Sequence, residues 1–311
     1  MTAAIVRRLA WTVLVVWFVV TLTFLVIAAV PADPARALLG PHATEQTLGV
    51  VRAHYCLDRG LLVQYGCWLD HVVHFDLGES YRSKRAVTEI LAARIGPTAQ
   101  LALAAIVLQL VIGVPLGVLA AVRRGRWPDL AGNLVGLIGQ SAPSFFLGTV
   151  LLYVFAYRFG WFPITGAGDG GLDRLVHLVL PAVTLSALGI AYYARLVRSE
   201  LIDQLDQEYV RTARAKGLPE RSVVGRHAMR HALGPLVALV GLDLGVLLGG
   251  AAVVEVIFGW PGLGREILQA TLQLDIPLIV GVVLVAAIAI AVANLLVDLV
   301  QLWLDPRLRD P

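Results

Sequence analysis

The sequence predicts an all-α integral membrane protein with about six transmembrane helices. Three observations support this prediction: a series of long apolar stretches, a low charged fraction and an uneven distribution of arginine. Apolar residues make up 58% of the 311 residues, charged residues make up 15%, and the mean hydropathy is +0.77. Soluble domains are close to half apolar and about a quarter charged. The composition therefore excludes a disordered chain and a disulfide-dense secreted scaffold, and the net charge of +3 is too small to indicate nucleic-acid binding.

Six apolar stretches are long enough to cross a bilayer, which takes roughly 20 mostly apolar residues. The predicted spans are residues 9–30, 98–122, 130–157, 176–194, 232–254 and 276–304. The first span follows Arg7 and Arg8 in the manner of a signal peptide. Its uncharged run is longer than the roughly 7–15 residues of a signal-peptide core, so we expect a retained helix.

Basic residues set the predicted orientation, because Arg and Lys accumulate on the cytoplasmic side of a membrane protein. With the N-terminus inside, the short outer loops hold few basic residues and the inner segments hold many. The inner basic residues are Arg7, Arg8, Arg123, Arg124, Arg126, those between Arg195 and Arg230, Arg307 and Arg309. Both termini are therefore predicted to be cytoplasmic.

Two polar segments are too long to be simple connectors. One is the outer loop, residues 31–96, in which apolar residues repeat at helical spacing over 61–74 and predict an amphipathic helix lying on the spans. The other is the inner segment, residues 195–231. Tyr81, Trp161 and Trp260 are predicted to lie at the membrane interface, where aromatic side chains are enriched.

The sequence of the inner segment predicts a rigid pair of helices. Gly217 suits the position just past a helix end, and Pro219 suits the first turn of a new, basic helix over 220–231. The segment is either a solvated, positive-inside connector or a docking surface for a cytoplasmic partner.

The run from Glu208 to Pro235 closely resembles the E-A-A-x-x-x-G loop of ABC importer permeases, in the dipeptide/oligopeptide/nickel branch. Alignment on Gly217 places Arg211, Thr212 and Ala213 at the E-A-A positions, and arginine at the first position is typical of the branch. Further landmarks resemble the family in the same order along the chain: Phe75–Ser80, Ser141–Gly148, Gly160–Pro163, Phe258–Gly264 and Leu304–Arg307.

The resemblance implies a type I ABC importer permease fold, with residues 1–311 as one transmembrane domain in a bacterial inner membrane. It implies a second homologous permease, two ATP-binding subunits or one fused ATPase, and an extracytoplasmic substrate-binding protein. Di- and oligopeptides are the expected substrates; nickel chelates, haem and glutathione-like molecules are alternatives. The residues implied to couple the permease to the ATPase lie in the 208–217 helix: Glu208, Arg211, Thr212, Ala213, Arg214, Lys216 and Gly217. Arg214 and Lys216 either pair with acidic partner residues or are solvated.

We expect this chain to be a transport subunit that binds no cofactor or metal, with ATP and Mg²⁺ held by the partner subunits. The sequence contains no G-x-x-x-x-G-K-[ST] phosphate loop. An intramembrane aspartic protease is the remote alternative, because Asp243 and Asp298 both lie in predicted spans. Their depths differ by roughly 15 Å at 1.5 Å per residue, which is too far for a shared proton.

Asp243 has two interpretations. It lies in the middle of the fifth span, where an acidic side chain normally faces a cavity or a partner. Either it is buried between helices and hydrogen-bonded, or it lines the translocation path and attracts the cationic end of a peptide.

Cys56 and Cys67, the only cysteines, share the outer loop. A disulfide is expected, because the external face of bacteria is oxidising. The alternatives are a metal site formed by both cysteines with His71 and His74, and free thiols.

Overall fold

The computed structural model describes residues 2–29, 35–36, 44–54, 56–127 and 143–304. Regular structure in these ranges is helical, apart from one isolated bridge between Glu79 and Ala86. The α-helices of the first half are α1 (Thr2–Ala29), α2 (Glu45–His54), α3 (Leu61–Val73), α4 (Val87–Leu108), α5 (Val114–Val122) and α6 (Ser144–Leu151). Those of the second half are α7 (Gly171–Leu205), α8 (Glu208–Ala215), α9 (Glu220–Ser222), α10 (Met229–Gly250), α11 (Ala252–Ile257), α12 (Leu263–Leu272) and α13 (Ile276–Leu304).

Five helical stretches are long and apolar enough to cross a membrane: Ile5–Ala29, Val87–Val122, Gly171–Leu205, Glu220–Leu247 and Ile276–Leu299. They correspond to the first, second, fourth, fifth and sixth predicted spans. The predicted third span is described only from residue 143, where Ser144–Arg158 forms a shorter apolar helix. Residues 130–142 of that span, like Arg307 and Arg309, lie outside the described residues.

Three membrane helices begin well before the spans that hydropathy predicts. The second begins at residue 87 instead of 98, and the fifth begins at residue 220 instead of 232. The fourth, α7, covers 171–205 instead of 176–194. At 1.5 Å per residue α7 is about 52 Å long, against about 30 Å of hydrocarbon. Backbone hydrogen bonding continues past the apolar stretch, so hydropathy predicts the bilayer portion and misses the polar ends.

A π-helical turn, Gln109–Gly113, joins α4 to α5 directly before Pro115. Proline has no N–H for the helical hydrogen-bond ladder, and such turns commonly accommodate the disruption. Beside it, Gly113 and Gly117 contact α7: a Cβ on Gly117 would lie 2.5 Å from the carbonyl oxygen of Ala194. The second and fourth spans can approach this closely because both positions lack a side chain.

The prediction that Trp260 lies at the membrane interface was wrong. Trp260 is fully buried, and its indole N–H donates to the carbonyl oxygen of Pro97 at 2.9 Å. The guanidinium of Arg174 lies 5.4 Å from the centre of the Trp260 ring. Trp260 therefore connects the second span to the loop after α11 instead of anchoring the chain at the lipid surface. The enrichment of tryptophan at interfaces cannot distinguish these two settings.

The first span is held by contacts with two parts of the chain. Arg8 forms an ion pair with Asp298 of α13. On the outer side, α3 lies on α1 as an amphipathic helix: the hydroxyls of Tyr65 and Thr21 are 2.6 Å apart, and the indole of Trp68 donates to the carbonyl of Val20. The prediction of an amphipathic helix over 61–74 is confirmed.

Candidate functional site

The inner segment folds back on the end of α7 as a short helix, α8, with one buried face. Val210 and Ala213 are buried, with exposed fractions of 0% and 5%. They pack in an apolar cluster whose other members come from α5, α7 and the region after Pro219: Ala121, Leu201, Val223, Val224, Ala228 and Ala232. Position and tilt of α8 are therefore fixed by packing against the membrane helices.

The end of α8 is formed by a left-handed glycine. Gly217 has φ of +74°, a conformation that side chains disfavour. Its N–H donates to the carbonyl of Arg214 at 2.9 Å, and the N–H of Leu218 donates to the carbonyl of Ala213 at 3.4 Å. This pair of bonds is the Schellman arrangement that ends many helices. The chain can then turn into Pro219 and α9.

A bidentate ion pair closes the turn after α8. The Nε and Nη2 atoms of Arg214 donate to the two carboxylate oxygens of Glu220 at 3.2 and 2.7 Å. These hydrogen bonds lower the pKa of Glu220 and raise the pKa of Arg214. Arg214 thus has an acidic partner within its own chain, which neither interpretation of the sequence anticipated.

The structure separates the predicted coupling residues into two groups. Ala213 faces the interior, Arg214 is bound to Glu220 and Gly217 ends the helix. The remaining positions are exposed and form the free polar surface of the segment: Glu208, Arg211, Thr212 and Lys216. A partner that docks on α8 would meet these four polar side chains, while Ala213, Arg214 and Gly217 hold the helix in place.

A second polar site lies among the membrane helices, around Asp243 of α10. Asp243 is partly buried and faces Tyr193 of α7 and Gln109 of the π-helical turn. Tyr193 is fully buried, and Gln109 is 1% exposed. Gln109 and Tyr193 were not among the site residues predicted from the sequence. The signal for Gln109 is its isolation as a polar residue in an apolar run, whereas Tyr193 is indistinguishable by sequence from its neighbour Tyr192.

Models of two protein families match successive parts of the chain. The binding-protein-dependent transport system inner membrane component matches residues 113–310, and the N-terminal part of such membrane components matches residues 1–102. The first match alone covers more than half of the chain. The chain belongs to the family of inner membrane components of binding-protein-dependent transport systems.

Relatives cover nearly the whole permease. A putative peptide transport system permease of Brucella abortus (strain 2308) is 39% identical over 312 residues, covering 99% of each chain. The glutathione transport system permease GsiC of Salmonella choleraesuis (strain SC-B67) is 38% identical over 305 residues, covering 98% of each chain. A chain of the inward-facing MetNI methionine ABC transporter is 21% identical, with a TM-score of 0.56 over 70% of this chain and 96% of that chain. At that identity the likeness concerns the fold.

These findings confirm the predicted class. The protein is an ABC importer permease with a type I permease fold, a multi-pass protein of the bacterial inner membrane. Its relatives are transport permeases, which supports a transport subunit and gives no support to the intramembrane protease considered from Asp243 and Asp298.

The outer loop of the permease contains a disulfide between Cys56 and Cys67. The metal-site alternative is therefore wrong, because the disulfide leaves neither cysteine with a thiolate to bind a metal ion. His71 instead contacts Asp76 at 2.9 Å, and His74 contacts the backbone of Asp70. Among the described residues no cluster of His, Cys, Asp and Glu is placed to hold a metal ion.

Two buried carboxylates of the permease were also missed, and both organise its outer side. Glu255 is fully buried: it accepts hydrogen bonds from the hydroxyl of Thr98 at 2.7 Å and from the N–H of Arg265, at the start of α12, at 2.9 Å. Asp275 is 1% exposed and accepts from the Ser80 hydroxyl and from backbone N–H groups of the outer loop. Glu255 adjoins the predicted fifth span, and only its buried partners distinguish it from a solvated loop residue.

Proposed function

We propose that this permease imports di- or oligopeptides as part of an ATP-driven importer, and that the 208–217 helix couples it to ATPase subunits. The observation that supports coupling is the construction of α8. Its apolar face is fixed to α5 and α7 through Val210 and Ala213, and its other face is polar and exposed. A helix fixed in this way transmits a push or pull from a bound partner to the membrane helices.

The proposed assembly has four kinds of component. A second homologous permease completes the translocation path, with Asp243 lining the part contributed by this chain. Two ATP-binding subunits, or one fused ATPase, hold ATP and Mg²⁺ and dock on the exposed residues of α8. An extracytoplasmic binding protein delivers the substrate. In this assembly residues 1–311 act as one transmembrane domain without a cofactor of its own.

Peptides are proposed as substrates because a relative covering 99% of the chain is named a peptide transport system permease. Glutathione, itself a tripeptide, is the second candidate, because another relative, which covers 98% of the chain, is named a glutathione transport system permease. Nothing in the described site favours haem or nickel chelates, the remaining alternatives.

The test is uptake by the complete importer, reconstituted in proteoliposomes with its binding protein. We expect ATP-dependent accumulation of alanyl-alanine or glutathione that stops when the permease carries substitutions on the exposed face of α8. The matched pair is Arg211→Glu, which reverses a charge on that face, and Arg158→Glu, which reverses an exposed charge at the end of the third span, away from α8. Equal uptake by both variants would contradict coupling through α8.

A further inference from the structure

Three buried oxygen atoms meet in the membrane core without a hydrogen bond of regular geometry in the described part of the chain: Oε1 of Gln109, the hydroxyl of Tyr193 and Oδ2 of Asp243. They belong to three different membrane segments that meet at this point. An unpartnered polar group in the interior costs about 1–3 kcal/mol. Three such atoms in one place indicate a site for a ligand more readily than a packing defect.

Two glycine residues allow the helices that carry Gln109 and Tyr193 to pack closely together. Gly189 lies one helical turn before Tyr193 in α7, and a Cβ there would overlap the side-chain amide of Gln109. Gly113 lies one turn after Gln109, and its Cβ would lie 2.9 Å from Cβ of Tyr193. The two helices therefore approach closely enough to bring both polar side chains beside Asp243.

The cluster contains one carboxyl group, and no basic side chain is among those that it faces in the described part of the chain. The side chains that Asp243 faces are Tyr193 and Gln109, and no ion pair involves Asp243 among the described residues. Acidic residues in membrane helices are costly and usually pair with a cation or line a cavity. Tyr193 and Gln109 are neutral donors to the carboxyl group, so what this site lacks is a positive charge.

We propose that Gln109, Tyr193 and Asp243 together bind the primary ammonium group of the transported substrate. An ammonium group has three N–H donors and one positive charge, and the cluster offers three acceptor oxygens, one of them on a carboxylate. The inference rests on the proposed function, since peptides and glutathione both carry a free ammonium group. It deepens that proposal by naming the chemical group that the permease recognises.

The experiment compares alanyl-alanine with N-acetyl-alanyl-alanine, which has no ammonium group, in proteoliposomes containing the complete importer. The binding protein is saturated with each peptide, so the ratio of the two uptake rates reports selection in the membrane. The variants are Tyr193→Phe and Asp243→Asn. The matched control is Tyr192→Phe, which removes a hydroxyl from the adjacent residue, whose side chain is 52% exposed.

The wild-type importer and the Tyr192→Phe control should prefer the free peptide. Tyr193→Phe and Asp243→Asn should each reduce that preference by at least about tenfold, the lower end of the value of one hydrogen bond to a charged group. A wild-type ratio in the Tyr193→Phe and Asp243→Asn variants would overturn the inference. If Asp243→Asn fails to assemble, Tyr193→Phe decides the matter, because it keeps the ring that packs between the helices.

Two further measurements distinguish ammonium binding from metal-cation binding, and failure of this inference from failure of the proposed function. Replacement of sodium by choline should leave wild-type uptake unchanged; a sodium requirement that Tyr193→Phe abolishes would show a metal-cation site and overturn ammonium binding. Failure of the wild-type importer to transport either alanyl-alanine or glutathione would refute the proposed function, and the inference with it. Peptide uptake with an unaltered ratio in the variants refutes the inference alone.

Discussion

Replacement of Gly217 by valine tests whether the shape of the inner segment matters for transport. Gly217 adopts φ of +74°, and no atom lies within 4 Å of the position that a Cβ would occupy. The cost is therefore backbone strain, about 1–2 kcal/mol for a residue with a side chain. If the helix end rearranges instead, the hydrogen bonds to the carbonyls of Arg214 and Ala213 are lost, at about 1 kcal/mol each. Either route weakens docking in the observed geometry by about 5- to 30-fold.

The assay is ATP-dependent uptake by the reconstituted importer, with membrane insertion of the permease measured separately. Gly225→Val is the matched control, because Gly225 lies in the same segment with equally open space and without positive φ. Gly217→Asn should retain more activity than Gly217→Val, since asparagine tolerates the left-handed conformation. If Gly217→Val and Gly225→Val transport equally, the reasoning from backbone conformation is wrong.

Three other predictions follow from the packing and the ion pairs. Ala213→Asp should reduce uptake strongly while the chain still inserts, because a carboxylate buried in an apolar cluster costs at least about 2 kcal/mol; limited proteolysis of the inner segment should show it loosened. Breaking the Cys56–Cys67 disulfide should destabilise the outer loop by about 2–3 kcal/mol, and thiol labelling of denatured protein should appear only after reduction; equal labelling before reduction would exclude the bond. The pKa of Glu220 is lowered by Arg214, so their ion pair is intact at neutral pH and is lost as the pH falls through that depressed pKa. Because the two side chains are 52% and 42% exposed, the loss should cost less than about 1 kcal/mol and should appear as faster hydrogen exchange in the turn after α8 below the pKa.

Hydropathy and residue spacing were sufficient for those parts of the fold that depend on local sequence. They predict the five described spans, the amphipathic helix on α1 and the break at Gly217, because burial in lipid, helical periodicity and helix ends are all properties of short segments. They misjudge the lengths of α4 and α7, since polar ends of membrane helices are not apolar.

Contacts between distant segments could not be predicted in this way. Tryptophan is enriched at membrane interfaces, so the residue type alone places Trp260 there. In the structure its indole instead donates a hydrogen bond in the core to the carbonyl of Pro97, 163 residues earlier. The grouping of Gln109, Tyr193 and Asp243 depends on the close approach of helices, which is set by glycines on facing surfaces. The ion pair between Arg214 and Glu220, within this chain, depends on the tight turn between α8 and α9.

The most direct test of the central claim, that α8 docks on an ATPase, is cross-linking from a single cysteine. The two natural cysteines are joined in the outer loop, so a cysteine at Arg211 is the only free thiol of the chain. In the assembled importer, a short thiol-specific cross-linker should join Arg211→Cys to an ATP-binding subunit, and the yield should change when ATP is added. Leu62→Cys, in a side chain 86% exposed on the outer loop, should give no such product. Equal cross-linking from both positions, or none from Arg211→Cys in an importer that transports substrate, would contradict the account.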